Sequence, residues 1–347
     1  MTARGPSAIG QRPSATASPL LAVEHLTVEL PVDGTLLPAV DDVSFSLRTG
    51  EAVAIVGESG CGKTQLARAI LGLSPEGARV DGRVSYGGRD LLGLSDRDWG
   101  AVRGRRIGFV FQEPASALDP VQTVGAQIRE AILCHEDLSR AETRRRAREV
   151  LRDVAFPDPD RGLDEYPHRL SGGLRQRAHI ASALVSGPDL LIADEPTASL
   201  DSTVAASVLE LLDRLRVERG LTLLLITHDL AAVARHCDRV LVLYAGRIVE
   251  EADTGALFRT PAHPYTRGLL RSVPRIASAI RQHGRRYEAI PGGVADLSAR
   301  PSGACAFAPR CPDRFAPCDA EMPELFEVDT GRARCFLYRP GSPARAS

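Results

Sequence analysis

This chain lacks the long hydrophobic runs of a membrane-spanning protein. Its hydrophobic stretches are short, as at Leu221–Ile226, whereas a helix needs roughly 20 apolar residues to cross a bilayer. Residues 1–18 are rich in Ala, Ser, Pro and Gly and contain no apolar segment of the kind that a signal peptide requires. We therefore expect a disordered tail at 1–18 and a cytosolic protein that reaches a membrane only through partners.

The sequence also lacks a charge excess of either sign and sustained heptads. The formal net charge is −1, with 43 Lys and Arg against 44 Asp and Glu, which argues against nucleic acid as a partner. One Arg-rich stretch, residues 144–148, follows a capping box at Ser139–Glu142 and is flanked by acidic residues. We interpret it as the solvated face of a helix, with a nucleic-acid patch as the alternative.

Cysteine is scarce until the end of the chain. Cys61, Cys134 and Cys237 are scattered, whereas four more are spaced C-x5-C-x6-C-x16-C at Cys305, Cys311, Cys318 and Cys335. In a cytosolic protein such a cluster indicates a metal site rather than disulfides. Four cysteines hold either zinc or a 4Fe–4S cluster, and the short C-x2–4-C spacings of structural zinc are missing here.

The strongest motif that is present is a glycine-rich loop between an apolar run, Ala52–Val56, and a helix-periodic stretch, Gln65–Leu71. The loop consists of Gly57, Glu58, Ser59, Gly60, Cys61, Gly62, Lys63 and Thr64. Strand, glycine-rich loop and helix form the context of a phosphate-binding P-loop, in which backbone N–H groups and a lysine hold phosphates and a Thr hydroxyl reaches Mg²⁺. We predict that the chain binds a nucleoside triphosphate.

Strand-like and helix-like patterns alternate along the next 200 or so residues, as in a largely parallel α/β sheet. Two strands separated by turn residues precede the P-loop strand, and a helical region covers about 113–185. The predicted strands are Leu20–Leu30, Ala39–Leu47, Ala52–Val56, Ile107–Phe111, Leu190–Ala193, Leu221–Ile226 and Val240–Tyr244. Beyond about 259 proline and cysteine increase and periodicity fades, so we place a domain boundary there.

Six features occur in one order, and together they resemble the ATP-binding subunit of an ABC transporter over roughly residues 20–340. They are the P-loop, Gln112, Leu170–Gly173, Asp194-Glu195, Ser199–Asp201 and His228. The resemblance implies an α/β P-loop ATPase core of residues 19–258 with an antiparallel β subdomain, a helical subdomain and an irregular C-terminal extension at 259–347.

The resemblance also implies roles in ATP hydrolysis. Thr64 and Asp194 would hold Mg²⁺, and Glu195 would activate the attacking water as a general base. Gln112 would contact Mg²⁺ or that water as a further catalytic residue and would couple the site to the helical subdomain. His228 would donate to the γ-phosphate. Phosphoryl transfer needs mainly positioning and charge stabilisation, which this set supplies.

A second set would act in trans. In this family the signature, here Ser171, Gly172 and Gly173, covers the γ-phosphate bound to the opposite subunit, and Asp201 would lie at the same interface. Two ATP molecules would thus lie between two ATPase subunits, either identical or homologous.

The sequence departs from the family pattern at three positions. Leu30 stands where an aromatic residue usually stacks on adenine. Cys61 replaces a common serine, and we expect a lowered pKa and high reactivity for its thiol because it lies at a helix N-terminus beside Lys63. Leu174 follows the signature at a position where the family generally has glutamine. Peptide-importer subunits often carry an apolar residue there, followed by Arg-Gln-Arg, as in Arg175-Gln176-Arg177 here.

The last ninety or so residues resemble the C-terminal extension of oligopeptide and dipeptide importer ATPases. The resemblance rests on His263–Arg267, Ile290–Gly292, Cys305–Pro312 and Arg334-Cys335. It implies a peripheral subunit on the cytoplasmic face of the membrane, two permease partners and, indirectly, an extracellular solute-binding protein. It also favours a 4Fe–4S cluster over zinc at the four cysteines, with a structural role.

Alternatives remain for the transported solute and for the class of protein. The same architecture serves nickel and glutathione uptake, so the solute is less specified than the machine. A soluble ABC ATPase of translation or DNA repair would carry two cassettes or a coiled-coil insertion, and this chain has one P-loop. An iron–sulfur redox protein would leave the ATPase motifs unexplained.

Overall fold

The computed structural model describes residues 18–113, 117–272, 290–293, 296–300 and 303–342. The strands are β1 (Leu21–Val32), β2 (Thr35–Leu47), β3 (Ala52–Val56), β4 (Arg79–Tyr86), β5 (Arg89–Asp90), β6 (Ile107–Val110), β7 (Leu190–Asp194), β8 (Thr222–Ile226), β9 (Arg239–Tyr244), β10 (Arg247–Asp253), β11 (Phe326–Val328) and β12 (Gly331–Ala333). The α-helices are α1 (Lys63–Ile70), α2 (Asp96–Gly100), α3 (Val124–Leu133), α4 (Arg140–Asp153), α5 (Pro159–Asp164), α6 (Gly172–Leu184), α7 (Ser202–Arg219), α8 (Leu230–His236), α9 (Thr254–Arg259), α10 (Pro264–Ser272) and α11 (Pro317–Ala320). The tail expected at 1–18 lies outside the described residues, apart from residue 18.

The main sheet has eight strands in the order β11-β12-β10-β9-β3-β8-β7-β6. The neighbours from β9 to β6 pair in parallel. Strands β3, β7 and β8 are buried along their whole length, which explains why their sequences are nearly continuous apolar runs. The predicted parallel α/β sheet is confirmed, and the residues that follow β3, β7 and β8 meet at its carboxyl edge.

A second, antiparallel sheet with the order β2-β1-β4-β5 covers one side of this core. The β1–β2 hairpin turns at Asp33 and Gly34, whose φ angles of 48° and 79° suit a type I′ turn. Both strands reach closer to this turn than the sequence predicts. Apolar residues of the hairpin pack with β3 and α1 in one buried cluster, so the antiparallel β subdomain supports the strand that leads into the P-loop.

Helices α3 to α6 fall within the region predicted to be helical. The capping box at the start of α4 forms as expected: the Ser139 hydroxyl accepts from the Glu142 N–H, and the Glu142 carboxylate accepts from the Ser139 N–H. The arginines of α4 pair with acidic side chains, in the pairs Arg144–Asp164, Arg145–Glu149, Arg146–Glu136 and Arg148–Asp160. This pairing agrees with the interpretation of a solvated helix face.

The C-terminal part of the chain, beyond residue 259, shares the sheet and the core of the preceding region. Strand β12 pairs antiparallel with β10, as in the pair Glu250–Ala333, and β11 adds the outer strand. Tyr265 of α10 and Phe307 are buried against Tyr244 at the end of β9. The described residues beyond 259 form short elements, which explains why sequence periodicity fades there. In the described part of the chain, no helix has the length and hydrophobicity needed to cross a membrane.

Candidate functional site

The P-loop connects β3 to α1 and surrounds a positively charged centre. Gly62 caps α1 with a left-handed backbone, φ 107°, and contributes no side-chain hydrogen bond to the N-terminus of the helix. The first helical N–H groups are thus available to an anion. Lys63 is only 6% exposed, and its ammonium donates to the carbonyls of Gly57 and Glu58 at 2.9 and 3.0 Å. This arrangement fits the phosphates of a nucleotide.

Asp194 ends β7 beside the P-loop and is 2% exposed. Burial raises the pKa of this carboxyl, and a hydrogen bond with Thr64 opposes the rise. Its Oδ1 atom has no hydrogen-bond partner among the described residues. Gln112 lines the same cavity, of about 430 Å³, as Thr64 and Asp194. A buried, incompletely bonded carboxylate next to a hydroxyl is a donor set that suits hydrated Mg²⁺.

Glu195 and His228 lie side by side at the same sheet edge. The Oε2 atom of Glu195 is 3.1 Å from Nδ1 of His228, which follows β8. Glu195 has a left-handed backbone, φ 45°, and its N–H donates to Ile226 O at 2.8 Å. Non-glycine residues adopt this conformation at a cost that functional sites often retain. The structure therefore brings together the acidic and imidazole groups that the sequence predicts for catalysis.

The signature residues lie at the start of α6. Ser171 is the N-cap residue, and its hydroxyl accepts from the Leu174 N–H at 3.4 Å. The structure packs Gly173 closely against Val204 in the first turn of α7. Asp201 caps α7 by accepting from the N–H groups of Thr203 and Val204. The signature and the Asp201 loop are thus neighbours, and Ser171, Gly172 and Asp201 are exposed.

Comparison with known proteins identifies the family. A family model described as ABC transporter matches residues 40–198, and a second, described as the C-terminal region of the oligopeptide/dipeptide transporter, matches 249–318. Over 318 residues the chain is 47% identical to a probable peptide ABC transporter ATP-binding protein of Sinorhizobium fredii, with 90% of this chain and 93% of the relative covered. This chain belongs to the ABC transporter ATP-binding proteins.

Other members of this ABC family have similar sequence identity to this chain. The dipeptide transport ATP-binding protein of Bacillus subtilis is 44% identical, with 92% of this chain and 94% of the relative covered. The oligopeptide transport ATP-binding protein of Mycobacterium tuberculosis is 48% identical over 94% of this chain, which spans 55% of that relative.

Solved structures support the ABC fold independently. The chain matches a dimeric ATP-binding cassette, described as a post-hydrolysis state bound to ADP and Pi, with a TM-score of 0.61 and 29% identity. The match covers 67% of this chain and 98% of that one. The protein is accordingly an ABC-type ATP hydrolase.

The structure corrects the expectation for Cys61 of this ABC ATPase. Its side chain is buried with 0% exposure. Burial raises the pKa of the thiol, and the attraction of Lys63 opposes this rise without overcoming it. The prediction of a lowered pKa was wrong, because it considered the helix N-terminus and Lys63 but not the desolvation that the surrounding segments impose. High reactivity of this thiol is therefore no longer expected.

Leu30, which stands where the family usually has an aromatic residue, lies on the antiparallel sheet. Leu30 is half-buried in β1 and packs on the apolar cluster beneath the hairpin. Because the side chain is aliphatic, it offers apolar contact to a base but no aromatic face.

The four C-terminal cysteines come near one another, but the predicted metal centre is not confirmed. Burial raises the pKa of the Cys335 thiol to about 12, and the thiols of the other three cysteines add to the rise. The Cys305 N–H donates to Cys318 O at 3.1 Å. Within the described ranges, however, no three His, Cys, Asp or Glu side chains form a group that could hold a metal ion.

The structure adds P-loop neighbours that the sequence analysis did not identify. Tyr265 accepts from the Glu58 N–H at 2.9 Å, Arg310 pairs with the Glu58 carboxylate, and Arg300 donates to Gly60 O at 3.1 Å. All three belong to the C-terminal extension. Their sequence separation from the P-loop leaves no local pattern by which they could have been found.

Proposed function

We propose that ATP is bound by Gly57–Thr64 and hydrolysed at the carboxyl edge of the main sheet. The observation that carries this proposal is the meeting of three strand ends. The P-loop follows β3, Asp194 ends β7 and is followed by Glu195, and His228 follows β8. These residues supply an anion site, a cation-binding carboxylate and a proton acceptor in one place.

Each group has a distinct task in this proposal. Lys63 and the P-loop N–H groups hold the phosphates, and Thr64, Asp194 and Gln112 hold Mg²⁺. When bound, Mg²⁺ neutralises phosphate charge. Glu195 accepts a proton from the attacking water. His228, which is 65% exposed, contacts Glu195 and is free to donate to the γ-phosphate.

Ser171, Gly172 and Gly173 are proposed to cover the γ-phosphate of a second ATPase subunit, homologous or identical. Their position at the N-terminus of α6 supports this role, because the 13-residue helix directs its N-terminal dipole toward exposed residues. Asp201 contributes to the same interface while it caps α7. The matched solved cassette is itself described as dimeric.

The proposed cellular function is uptake of di- or oligopeptides through two partner permeases, at the cytoplasmic face of the membrane. The names of the relatives and the match at residues 249–318 support it. A groove beside Gln112, lined by Leu73, Phe111, Leu118 and Ala131, is a suitable permease contact, since Leu73 and Phe111 are exposed large apolar residues. An extracellular solute-binding protein would act indirectly.

Reconstitution tests this function. The subunit is assembled with its permeases in vesicles, and ATP-driven uptake of labelled peptides is compared with uptake of nickel and of glutathione. We expect peptide uptake that disappears in a Lys63→Ala variant. ATP-driven uptake of nickel or glutathione without peptide uptake would assign a different solute to the same machine, and a soluble, permease-independent ATPase would favour the translation or repair alternative.

We further propose that Cys305, Cys311, Cys318 and Cys335 hold a 4Fe–4S cluster, with zinc as the alternative. The donor set supports the proposal: Cys318 is buried with Ala308 and Phe336, Cys305 packs against these residues, and the thiols of Cys305, Cys311 and Cys318 act electrostatically on that of Cys335. Binding would draw the sulfurs together, and it would also remove the protons that burial favours. A bound cluster would cross-link the extension.

Metal analysis tests this second proposal. Anaerobically purified protein should contain about four irons per chain and absorb broadly near 400 nm. Cys311→Ser should lose the colour. One zinc per chain without colour would assign zinc instead, and a metal-free, fully folded protein would refute both.

A further inference from the structure

Three residues in the described part of the C-terminal extension contact the P-loop. Arg310 donates to both oxygens of the Glu58 carboxylate at 2.7 and 3.0 Å. The Tyr265 hydroxyl accepts from the Glu58 N–H at 2.9 Å. Arg300 donates to the carbonyl of Gly60 at 3.1 Å and to that of Pro38 at 3.0 Å. Two of the three contacts therefore fix a single P-loop residue, one at its backbone and one at its side chain.

Glu58 in turn contacts the lysine of the P-loop. Its carbonyl accepts from the Lys63 ammonium at 3.0 Å and from the Cys61 N–H at 3.3 Å. Any shift of Glu58 therefore moves an acceptor of Lys63. A phosphate loop binds well when its donors are already in place, because no binding energy is lost in ordering them.

Arg310 is itself held firmly. Its side chain is 7% exposed, and it lies over the rings of Tyr244 and Phe307. It also donates to the carbonyls of Pro291 and Gly292 at 2.7 and 3.1 Å. A nearly buried, bidentate arginine has far less freedom than a surface ion pair and imposes one geometry on its carboxylate partner.

The backbone that carries Tyr265 is equally constrained. Glu250, at 0% exposure on β10, accepts from the N–H groups of Ala262 and His263 at 2.7 and 2.8 Å. His263 Nδ1 accepts from the Tyr265 N–H at 3.0 Å. The main sheet thus fixes the start of α10, and α10 presents the hydroxyl to the P-loop.

We propose that Arg310 and Tyr265 are positioning residues of the nucleotide site: through Glu58 they hold the P-loop and Lys63 in the conformation that receives phosphate. The inference rests on the proposed role of the P-loop. It makes the extension part of the ATP site, rather than only an appendage of the ATPase domain.

The test is equilibrium binding of MgATP, measured without turnover in a Glu195→Gln background. Arg310→Gln and Glu58→Gln should each weaken binding about tenfold, which corresponds to one lost charge-assisted contact. The Arg310→Gln and Glu58→Gln double variant should bind no more weakly than either single variant, because both changes break the same connection. Arg314→Gln breaks the Arg314–Asp319 pair elsewhere in the extension and is the matched control, with wild-type affinity expected.

The Tyr265→Phe variant controls for misfolding. It keeps the side-chain volume and the Arg310–Glu58 pair, and it removes only the hydroxyl that accepts from the Glu58 N–H. We expect several-fold weaker MgATP binding by a protein whose unliganded melting temperature shows that it is folded. If Lys63→Ala loses ATP while Arg310→Gln and Tyr265→Phe bind it normally, the positioning role is wrong and the P-loop assignment stands. If Lys63→Ala also binds normally, the P-loop assignment itself fails.

Discussion

Asp194 and Glu195 are adjacent in the chain but have different surroundings. Asp194 is buried against Thr64, and its pKa is raised by that burial. Glu195 turns through a left-handed backbone to meet the exposed His228. Two carboxyls in unlike environments can take unlike tasks, which supports the proposed division between cation binding and proton transfer.

The first prediction at this scale concerns Glu195. Glu195→Gln should lower ATP hydrolysis by roughly 10²–10⁴, the range for loss of a general base, because the amide cannot accept the proton of the attacking water. MgATP binding should persist, since Lys63, Thr64 and Asp194 are unchanged. Phosphate release and nucleotide binding measure the two effects separately, and near-normal turnover in this variant would remove Glu195 from the role.

A second residue-scale prediction concerns Cys61. Because the thiol is buried and its pKa is raised, it should resist maleimide at neutral pH, since the thiolate is the reactive form. Cys134 is exposed and provides a control within the same chain. Mass spectrometry should find Cys134 labelled and Cys61 unlabelled in the native protein, with both labelled after denaturation. Rapid native labelling of Cys61 that MgATP prevents would contradict the buried position.

The sequence predicts which candidate residues the strand ends bring together, but not the environment of each one. Lys63, Asp194 and His228 can be found because each adjoins a recognisable apolar strand, and parallel strands bring their carboxyl ends together. The burial of Cys61 depends on segments far along the chain. The carbonyl of Cys61, for example, accepts from the Gly246 N–H. No local pattern carries that information.

At the scale of elements, β12 is the junction between the extension and the ATPase sheet. Strands β11 and β12 have three residues each, too few for a periodic signal, so the sequence analysis predicted an irregular segment here. Longer strands such as β3 and β8 were predicted almost to the residue. The difference is one of length, because a short strand is selected by its pairing partner rather than by its own pattern.

Gly331 makes this junction testable. It lies against β10, where a Cβ atom would stand 2.0 Å from Glu251 O, and its φ of 147° is uncommon for other residues. Gly331→Ala should therefore separate β12 from β10, lower the melting temperature and expose the C-terminal residues to protease. Gly293→Ala is the control, because, apart from its chain neighbours, none of the residues that the structure describes has an atom within 4 Å of its would-be Cβ. Equal stability of both variants would show that β12 is not a firm attachment.

At the scale of the whole molecule, residues of the extension contact the P-loop within one chain, and we propose that the ATP site is completed between two chains. Ser171, Gly172 and Asp201 are exposed and can reach a partner subunit. The nearly neutral net charge of −1 places no strong electrostatic repulsion between two copies. Motif order predicts this arrangement, but only a second subunit can complete it.

The most direct test of hydrolysis at a dimer interface mixes two variants that we expect to be inactive, Lys63→Ala and Ser171→Arg. The conditions are those in which the wild-type chain alone hydrolyses ATP. A mixed dimer contains one site with both an intact P-loop and an intact signature. The mixture should therefore recover activity that neither variant has alone, up to about one quarter of wild type for random two-fold pairing. No recovery, together with wild-type hydrolysis by Ser171→Arg alone, would mean that each chain contains a complete site and would contradict hydrolysis at a dimer interface.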